Sequence, residues 1–191
     1  MPNNKQLHTF VAYVEDKPGV LNRIASLFRR RNFNIESLTV GKTQEAGISR
    51  MTVLVEANKV AASHIEANLY KLVNVLRVED LNDQAAVVRE MVLVKVKADS
   101  QTRQELIQIA SVFQAKIVDV APSSMIMELA GTVEKVSRFV KLVTPFGILE
   151  LQSPGVVAMS RGDDSVSPEP PALFANQTVA EQHKNGNGNL Y

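Results

Sequence analysis

The sequence predicts an α+β protein built as two consecutive split βαβ units, each of order β-α-β-β-α-β, followed by a polar tail. Three observations carry this prediction. Short strand-like apolar stretches are interleaved with stretches whose apolar residues recur at helical spacing, and the interleaving runs through the same order twice. Asn82-Asp83-Gln84 interrupts the pattern midway, and from Arg161 the composition turns to Pro, Gly, Asp and Asn. With 45% hydrophobic residues in 191, the chain has enough apolar side chains to bury a proper core in each unit.

In the first unit, residues 7–14 read as a strand with Phe10, Ala12 and Val14 on one face and Val11 and Tyr13 on the other. Pro18 has its φ already near the helical value and no N–H to satisfy, so it suits the first helical position. Val20, Ile24, Leu27 and Phe28, with Leu21 beside them, then recur at helical spacing, while Asn22, Arg23, Ser26 and Arg30 take the wet face. The helix ends before Asn32. Residues 35–42 and 48–56 are strands joined by the polar tip Thr43-Gln44-Glu45-Ala46-Gly47, the second with Met51, Val53 and Val55 inward. Residues 60–71 form an amphipathic helix along Ala61, Ile65, Leu69 and Leu72, and residues 75–80 a last strand.

The second unit repeats this order without obvious identity. Val92, Val94 and Val96 share one face of a strand over residues 91–97, with Lys95 and Lys97 on the other. Ser100 is expected to cap a helix carrying Leu106, Ile107, Ile109, Ala110 and Phe113. Strands over 116–121 and 124–130 flank a Pro122-Ser123 turn. Thr132 caps a helix that buries Val133, Val136, Phe139, Val140 and Val143 and ends near Thr144-Pro145, before a strand over 147–152 and an extension through Val156, Val157 and Ala158. Each unit is thus expected to be a four-stranded antiparallel sheet with two helices on one face, the other face being left for a partner or its twin. The tail after Arg161 has little to bury and is expected to be disordered.

Composition excludes several functions. Lys plus Arg number 21 against 20 Asp plus Glu, a formal charge of +1, which gives no support to a nucleic-acid or anionic-membrane surface. Arg29-Arg30-Arg31 closes a helix, where cations complement the terminal dipole, and is read as a solvated end rather than a phosphate clamp. The absence of cysteine removes disulfides, thiolate metal sites and a cysteine nucleophile. No run of 18 apolar residues occurs, and Met1-Pro2-Asn3-Asn4-Lys5 lacks a signal core, so a cytoplasmic protein without a membrane span is expected. His8, His64 and His183 fall in separate elements without a second ligand at metal spacing. Neither a Gly-rich phosphate loop nor a serine elbow occurs, and 5% aromatics without Trp argue against a sheet that stacks RNA bases. Arg161-Gly162-Asp163 and Asn176-Gln177-Thr178 are chance matches to short motifs. Catalysis is disfavoured.

One stretch does carry chemistry. Val14-Glu15-Asp16-Lys17-Pro18-Gly19-Val20-Leu21 is expected to deliver a strand through a tight turn into a helix start, with Asn34-Ile35-Glu36-Ser37 returning beside that same helix start. The helix dipole favours an anion there by about 0.3–1 kcal/mol, and each charge-assisted hydrogen bond adds about 1.5–3 kcal/mol before desolvation. Gly19 lets a ligand approach the backbone, Asp16 can accept from an ammonium group, and the Asn34 amide offers a donor and an acceptor. A free amino acid matches this set. The plain alternative is that Asp16 only caps the helix.

Asp16-Lys17-Pro18-Gly19-Val20-Leu21, followed by Asn32-Phe33-Asn34-Ile35-Glu36-Ser37-Leu38-Thr39-Val40, resembles the start of an ACT domain. The wording from Asn34 to Val40, then Ser49-Arg50-Met51-Thr52, more specifically resembles the regulatory small subunits of acetolactate synthase (acetohydroxyacid synthase). The likeness runs over roughly residues 7–161, including Arg89-Glu90-Met91-Val92-Leu93-Val94-Lys95-Val96 and Gly155-Val156-Val157-Ala158-Met159-Ser160-Arg161-Gly162. The resemblance implies a ferredoxin-like ACT domain at 1–81, a linker at 82–88, a C-terminal ferredoxin-like regulatory domain at 89–161 and a tail over 162–191.

It further implies a chain that does no chemistry itself and holds no cofactor. Such a chain activates a catalytic subunit that uses thiamine diphosphate, FAD and magnesium in branched-chain amino acid biosynthesis, including that of isoleucine, and mediates feedback inhibition by valine. The implied effector site lies between the ACT domains of a homodimer, with Asp16, Gly19 and Val20 from one protomer and Asn34 and Ile35 from the other. Leucine and isoleucine remain open as effectors, because one methylene is worth only about 0.8 kcal/mol. The competing reading is a stand-alone ACT-domain amino-acid sensor acting on another partner.

Overall fold

The structure, a computed structural model, describes residues 6–162. The tail expected to be disordered lies outside the described residues, as do His183 and Asn176-Gln177-Thr178. Of the described residues, 6–86 and 158–162 group into one compact unit, and Val87–Val157 into a second.

The first unit runs β1 (Gln6–Glu15), α1 (Val20–Arg30), β2 (Ile35–Lys42), β3 (Ile48–Ala57), α2 (Lys59–Leu69) and β4 (Val75–Asp80). Its sheet has the antiparallel order β2-β3-β1-β4. Period-2 alternation places Phe10, Ala12 and Val14 of β1 beside Met51, Val53 and Val55 of β3, and this face buries Val20, Ile24, Leu27 and Phe28 of α1 with Ile65 and Leu69 of α2. Leu21, expected beside the α1 stripe, is 47% exposed. The α2 seam also differs by a residue from the expected one. It buries Ala62, Ile65, Asn68 and Leu69, with Ala61 and Leu72 only partly covered.

The opposite face of this sheet was expected to await a partner, yet Thr9, Val11, Tyr13 and Thr52 are already buried there within the chain. Part of the cover is residues 158–162. The Arg50 guanidinium lies 5.8 Å from the Tyr13 ring centre, and its Nη2 donates to the Ala158 carbonyl. The backbone N–H of Arg161 donates to Ala85 O at 2.8 Å.

The second unit runs β5 (Ala86–Lys97), α3 (Arg103–Phe113), β6 (Lys116–Val120), β7 (Ser124–Gly131), α4 (Val133–Val143), β8 (Ile148–Gln152) and β9 (Val156–Ser160). Its sheet order is β6-β7-β5-β8, and β9 also pairs with β5, so the sheet has five strands where four were expected. The 12-residue β5 is longer than β8, which has 5 residues, and this leaves backbone groups for another strand. Val92, Val94, Val96, Leu106, Met125, Met127, Phe139 and Val143 fill the core.

Residues 82–88, expected as a linker, carry part of a 3-10 turn (Leu81–Asp83) and the opening of β5. One local expectation is corrected. Ser100 does not cap α3, because Asp99 Oδ1 takes the N–H groups of Gln101 and Thr102 at 2.9 and 2.8 Å. The longer carboxylate arm, one residue earlier, reaches both donors. Thr132 caps α4 as expected, accepting from the Lys135 N–H.

Glu66 on α2 is pushed above its ordinary value of 4.5, first by burial and then by the Asp80 and Glu79 carboxylates. The folded state therefore holds this proton more tightly than the unfolded one, so its contribution favours folding at low pH and fades as pH rises through the raised value. Glu66→Gln is expected to melt at a higher temperature than the parent at pH 7, the gap closing as the pH falls below 4.5; thermal melts across that range check it.

Candidate functional site

The connection between β1 and α1 is set by backbone conformation. The N–H of Asp16 donates to Gly47 O at 2.7 Å, that of Lys17 to Glu15 O at 2.9 Å, and that of Val20 to Lys17 O at 3.3 Å. Gly19 is the residue before the helix, with φ 84, so the helix begins at Val20 and Pro18 lies ahead of it rather than at its first position. A Cβ on Gly19 would meet nothing within 4 Å, so glycine is required here by the left-handed backbone and not by crowding.

No side chain caps α1, and no acidic residue lies in its first turn. The reading of Asp16 as a simple cap therefore fails. Its side chain is exposed, without a hydrogen-bond partner among the described residues, and the N–H groups of Gly19, Leu21 and Asn22 are likewise unspent. An exposed carboxylate beside free N–H donors at a helix start suits a zwitterion. The Val20 side chain is 5% exposed and belongs to the core of its own unit, so at this turn only its backbone faces outward.

A hydrogen-bonded network braces the turn from behind. Lys17 Nζ donates to Glu15 Oε1 at 3.0 Å, Asn74 Nδ2 donates to Glu15 Oε2, and Arg23 Nη1 donates to Asn74 Oδ1 at 2.6 Å. The Asn74 hydrogen bond, more than Lys17, holds the Glu15 carboxyl below its ordinary value. Sequence reasoning missed Asn74 and Arg23. Arg23 read as wet-face helix, and Asn74 lies in a loop with no periodicity to single it out.

Asn34 and Ile35 sit elsewhere. Both follow α1, whereas Asp16 and Gly19 precede it, so the start of β2 does not lie beside the helix start as expected. The 11-residue helix separates the two groups by about 16 Å within one chain. At its far end Phe28, Arg29, Asn32, Phe33, Asn34 and Ile35 line a shallow pocket. Asn32 takes φ 56 to turn the chain into β2. Asn34 Nδ2 donates to Glu36 Oε1, Ile35 packs against the core, and both line this pocket.

The second unit supplies a contrast. At the corresponding strand-to-helix turn, Asp99 Oδ1 accepts from the Gln101 and Thr102 N–H groups and from Thr102 Oγ1 at 2.8 Å. These bonds, the Thr102 N–H first, hold the Asp99 carboxyl below its ordinary range. Of the donors open in the first unit, the one at the residue before the helix has its equivalent, the Thr102 N–H, taken here by the chain's own carboxylate.

Elsewhere, His8 is 3% exposed and its Nδ1 lies 2.7 Å from Asp80 Oδ2, while His64 is exposed. Among the described residues no group of three or more His, Asp or Glu is placed to hold a metal ion. No described helix is long and apolar enough to cross a membrane. Of the basic run, Arg31 donates to Asn68 Oδ1 at 3.2 Å, and Arg29 lines the pocket.

Comparison with known proteins matches residues 10–77 to the AHAS small subunit-like ACT domain and residues 89–162 to the small subunit of acetolactate synthase. The chain is 43% identical to the acetolactate synthase small subunit of Mycolicibacterium smegmatis, over 85% of this chain and 95% of that relative. The chain belongs to the acetolactate synthase small-subunit family. The probable small subunit of Methanothermobacter thermautotrophicus is 46% identical over 81% of this chain and 93% of its own length. The crystal structure of the Thermotoga maritima small subunit superposes with a TM-score of 0.77 at 37% identity, covering 83% of this chain and 99% of that one. The chain is thus an acetolactate synthase small, regulatory subunit with ACT-type units.

Gly19→Ala places an L residue at φ 84 and is expected to cost about 1–2 kcal/mol of folding stability. Denaturant unfolding should show a lower midpoint at unchanged slope.

Proposed function

We propose that this chain binds the acetolactate synthase catalytic subunit in the cytoplasm, raises its activity, and confers feedback inhibition by valine held between the first units of two copies. Thiamine diphosphate, FAD and magnesium belong, in this reading, to the catalytic subunit, and the homodimer needs neither nucleic acid nor membrane.

The observation that carries the effector site is the separation of its two halves. Asp16 and Gly19 stand at one end of α1 and Asn34 and Ile35 at the other, each with polar groups turned outward. One chain cannot bring them together. β2 is an edge strand of its sheet, and two such edges paired about a two-fold axis would run antiparallel. Their α1 helices would then also be antiparallel, which sets the open helix start of one copy against the pocket at the helix end of the other. The effector carboxylate would meet the Gly19, Leu21 and Asn22 N–H groups, its ammonium Asp16 and the Asn34 carbonyl oxygen, and its side chain the apolar wall that includes Ile35.

The turn at Asp99 supports placing the effector in the first unit, since there a carboxylate of the chain already takes the Thr102 N–H, the equivalent of the Gly19 N–H. Inhibition then follows as a population shift, bounded by the difference in valine affinity between the two arrangements of the dimer.

Gly19→Asp puts a like charge where the effector carboxylate sits, on a backbone that already strains an L residue. Acetolactate formation by the reconstituted complex should keep its activation by this variant and lose its inhibition by valine. Inhibition at the parent's valine concentration would remove the effector from this turn. Affinity purification of the tagged chain from its own cells should bring down the catalytic subunit in stoichiometric amount; a lone dimer would instead favour the stand-alone sensor.

A further inference from the structure

Asn74 is a buried polar residue, 9% exposed, in the loop between α2 and β4. It holds both sides of the turn that carries Asp16 and Gly19. On the entry side its carbonyl accepts the Glu15 N–H at 2.9 Å, and its Nδ2 donates to Glu15 Oε2. On the exit side its Oδ1 accepts from Arg23 Nη1 at 2.6 Å, and the Arg23 N–H closes the first helical turn on Gly19 O at 3.0 Å. The β-ladder is adapted to this arrangement. The β1–β4 register shifts so that Tyr13 faces Arg77 while Val14 faces Val75, and the extra residue, Leu76, makes a bulge that brings Asn74 up against Glu15.

The chemistry of the contact is specific. Glu15 offers only acceptors and Arg23 only donors, so the group between them must donate on one side and accept on the other. An amide does both. A hydrophobic residue of the same size would leave a carboxylate and a guanidinium partly buried without their bonds, and the two would be free to move toward each other and change the spread of the turn.

We propose that Asn74 is a positioning residue for the effector turn, setting the separation of Glu15 and the first turn of α1 and thereby the geometry in which Asp16 and the free N–H groups meet an amino acid. This rests on the reading that the turn receives the effector. Asn74 touches no ligand itself, and it makes the α2–β4 loop part of the sensor, linking the helix start to the end of the sheet opposite the edge strand β2.

The test is an exchange of partners in the full chain reconstituted with its catalytic subunit, read by valine titration of the inhibition and by calorimetry with valine. Asn74→Asp keeps the acceptor for Arg23 but turns two carboxylates on each other, and the half-inhibitory valine concentration should rise about tenfold, the equivalent of one lost charged hydrogen bond. Adding Glu15→Gln restores a donor to the pair with the roles reversed, and the affinity should return to within about threefold of the parent. Thermal melts confirm that each variant is folded at the assay temperature. Gly19→Asp runs beside them as the control for the site. Loss of valine inhibition in that control with parental affinity in Asn74→Asp would overturn the positioning role alone, whereas parental inhibition in Gly19→Asp would overturn the site reading. A second readout stands apart from the effector. The Glu15 and Arg23 amides, both hydrogen-bonded in the parent, should exchange faster in Asn74→Ala, and unchanged protection there would also reject the proposal.

Discussion

The left-handed conformation of Gly19 is the constraint from which the character of the first unit follows. By taking φ 84 immediately before the helix, it turns the chain without a capping side chain, so the Gly19, Leu21 and Asn22 donors stay unspent and the Asp16 carboxylate stays outside the turn's own hydrogen bonding. A Ser or Asp at the cap would have stabilised the helix by about 0.5–2 kcal/mol and closed the site in the same step. The helix is held instead by the burial of Val20, Ile24, Leu27 and Phe28, and tertiary packing substitutes for the missing cap.

The two units show one topology put to two uses. In the second, the turn before α3 is closed by Asp99 and Thr102 within the segment itself. In the first, the brace comes from outside the segment, through Asn74 and Gly47. A turn held from behind with its donors exposed can be sensitive both to a ligand in front and to movement of the elements that support it.

Regulation by such a chain needs two arrangements that differ in effector affinity, and the placement of the half-sites provides a reason for them. In the proposed reading a single α1 does not present both halves to one amino acid, so occupancy would be tied to how two copies meet, and a ligand of few atoms would report on a contact between whole protomers. The chain returns to the first unit at Ala158, whose carbonyl accepts from Arg50.

The sequence by itself determined the order of elements, the two-unit division and the turn of interest, because those depend on local periodicity, on Pro and Gly, and on short motifs such as Asp16-Lys17-Pro18-Gly19. It reached the strands and helices of the first unit to within a residue or two. It placed Pro18 inside the helix and Ser100 at a cap, since a hydroxyl or a ring is legible as a type while the reach of a neighbour such as Asp99 is not. Tertiary structure alone decided that Asn34 stands about 16 Å from the turn it was first expected to join. It also decided that Asn74 lies 59 residues along the chain from Glu15 yet braces it. Such pairings are made by strand register and the bulge at Leu76, and register is a property of the folded sheet that no window of sequence contains.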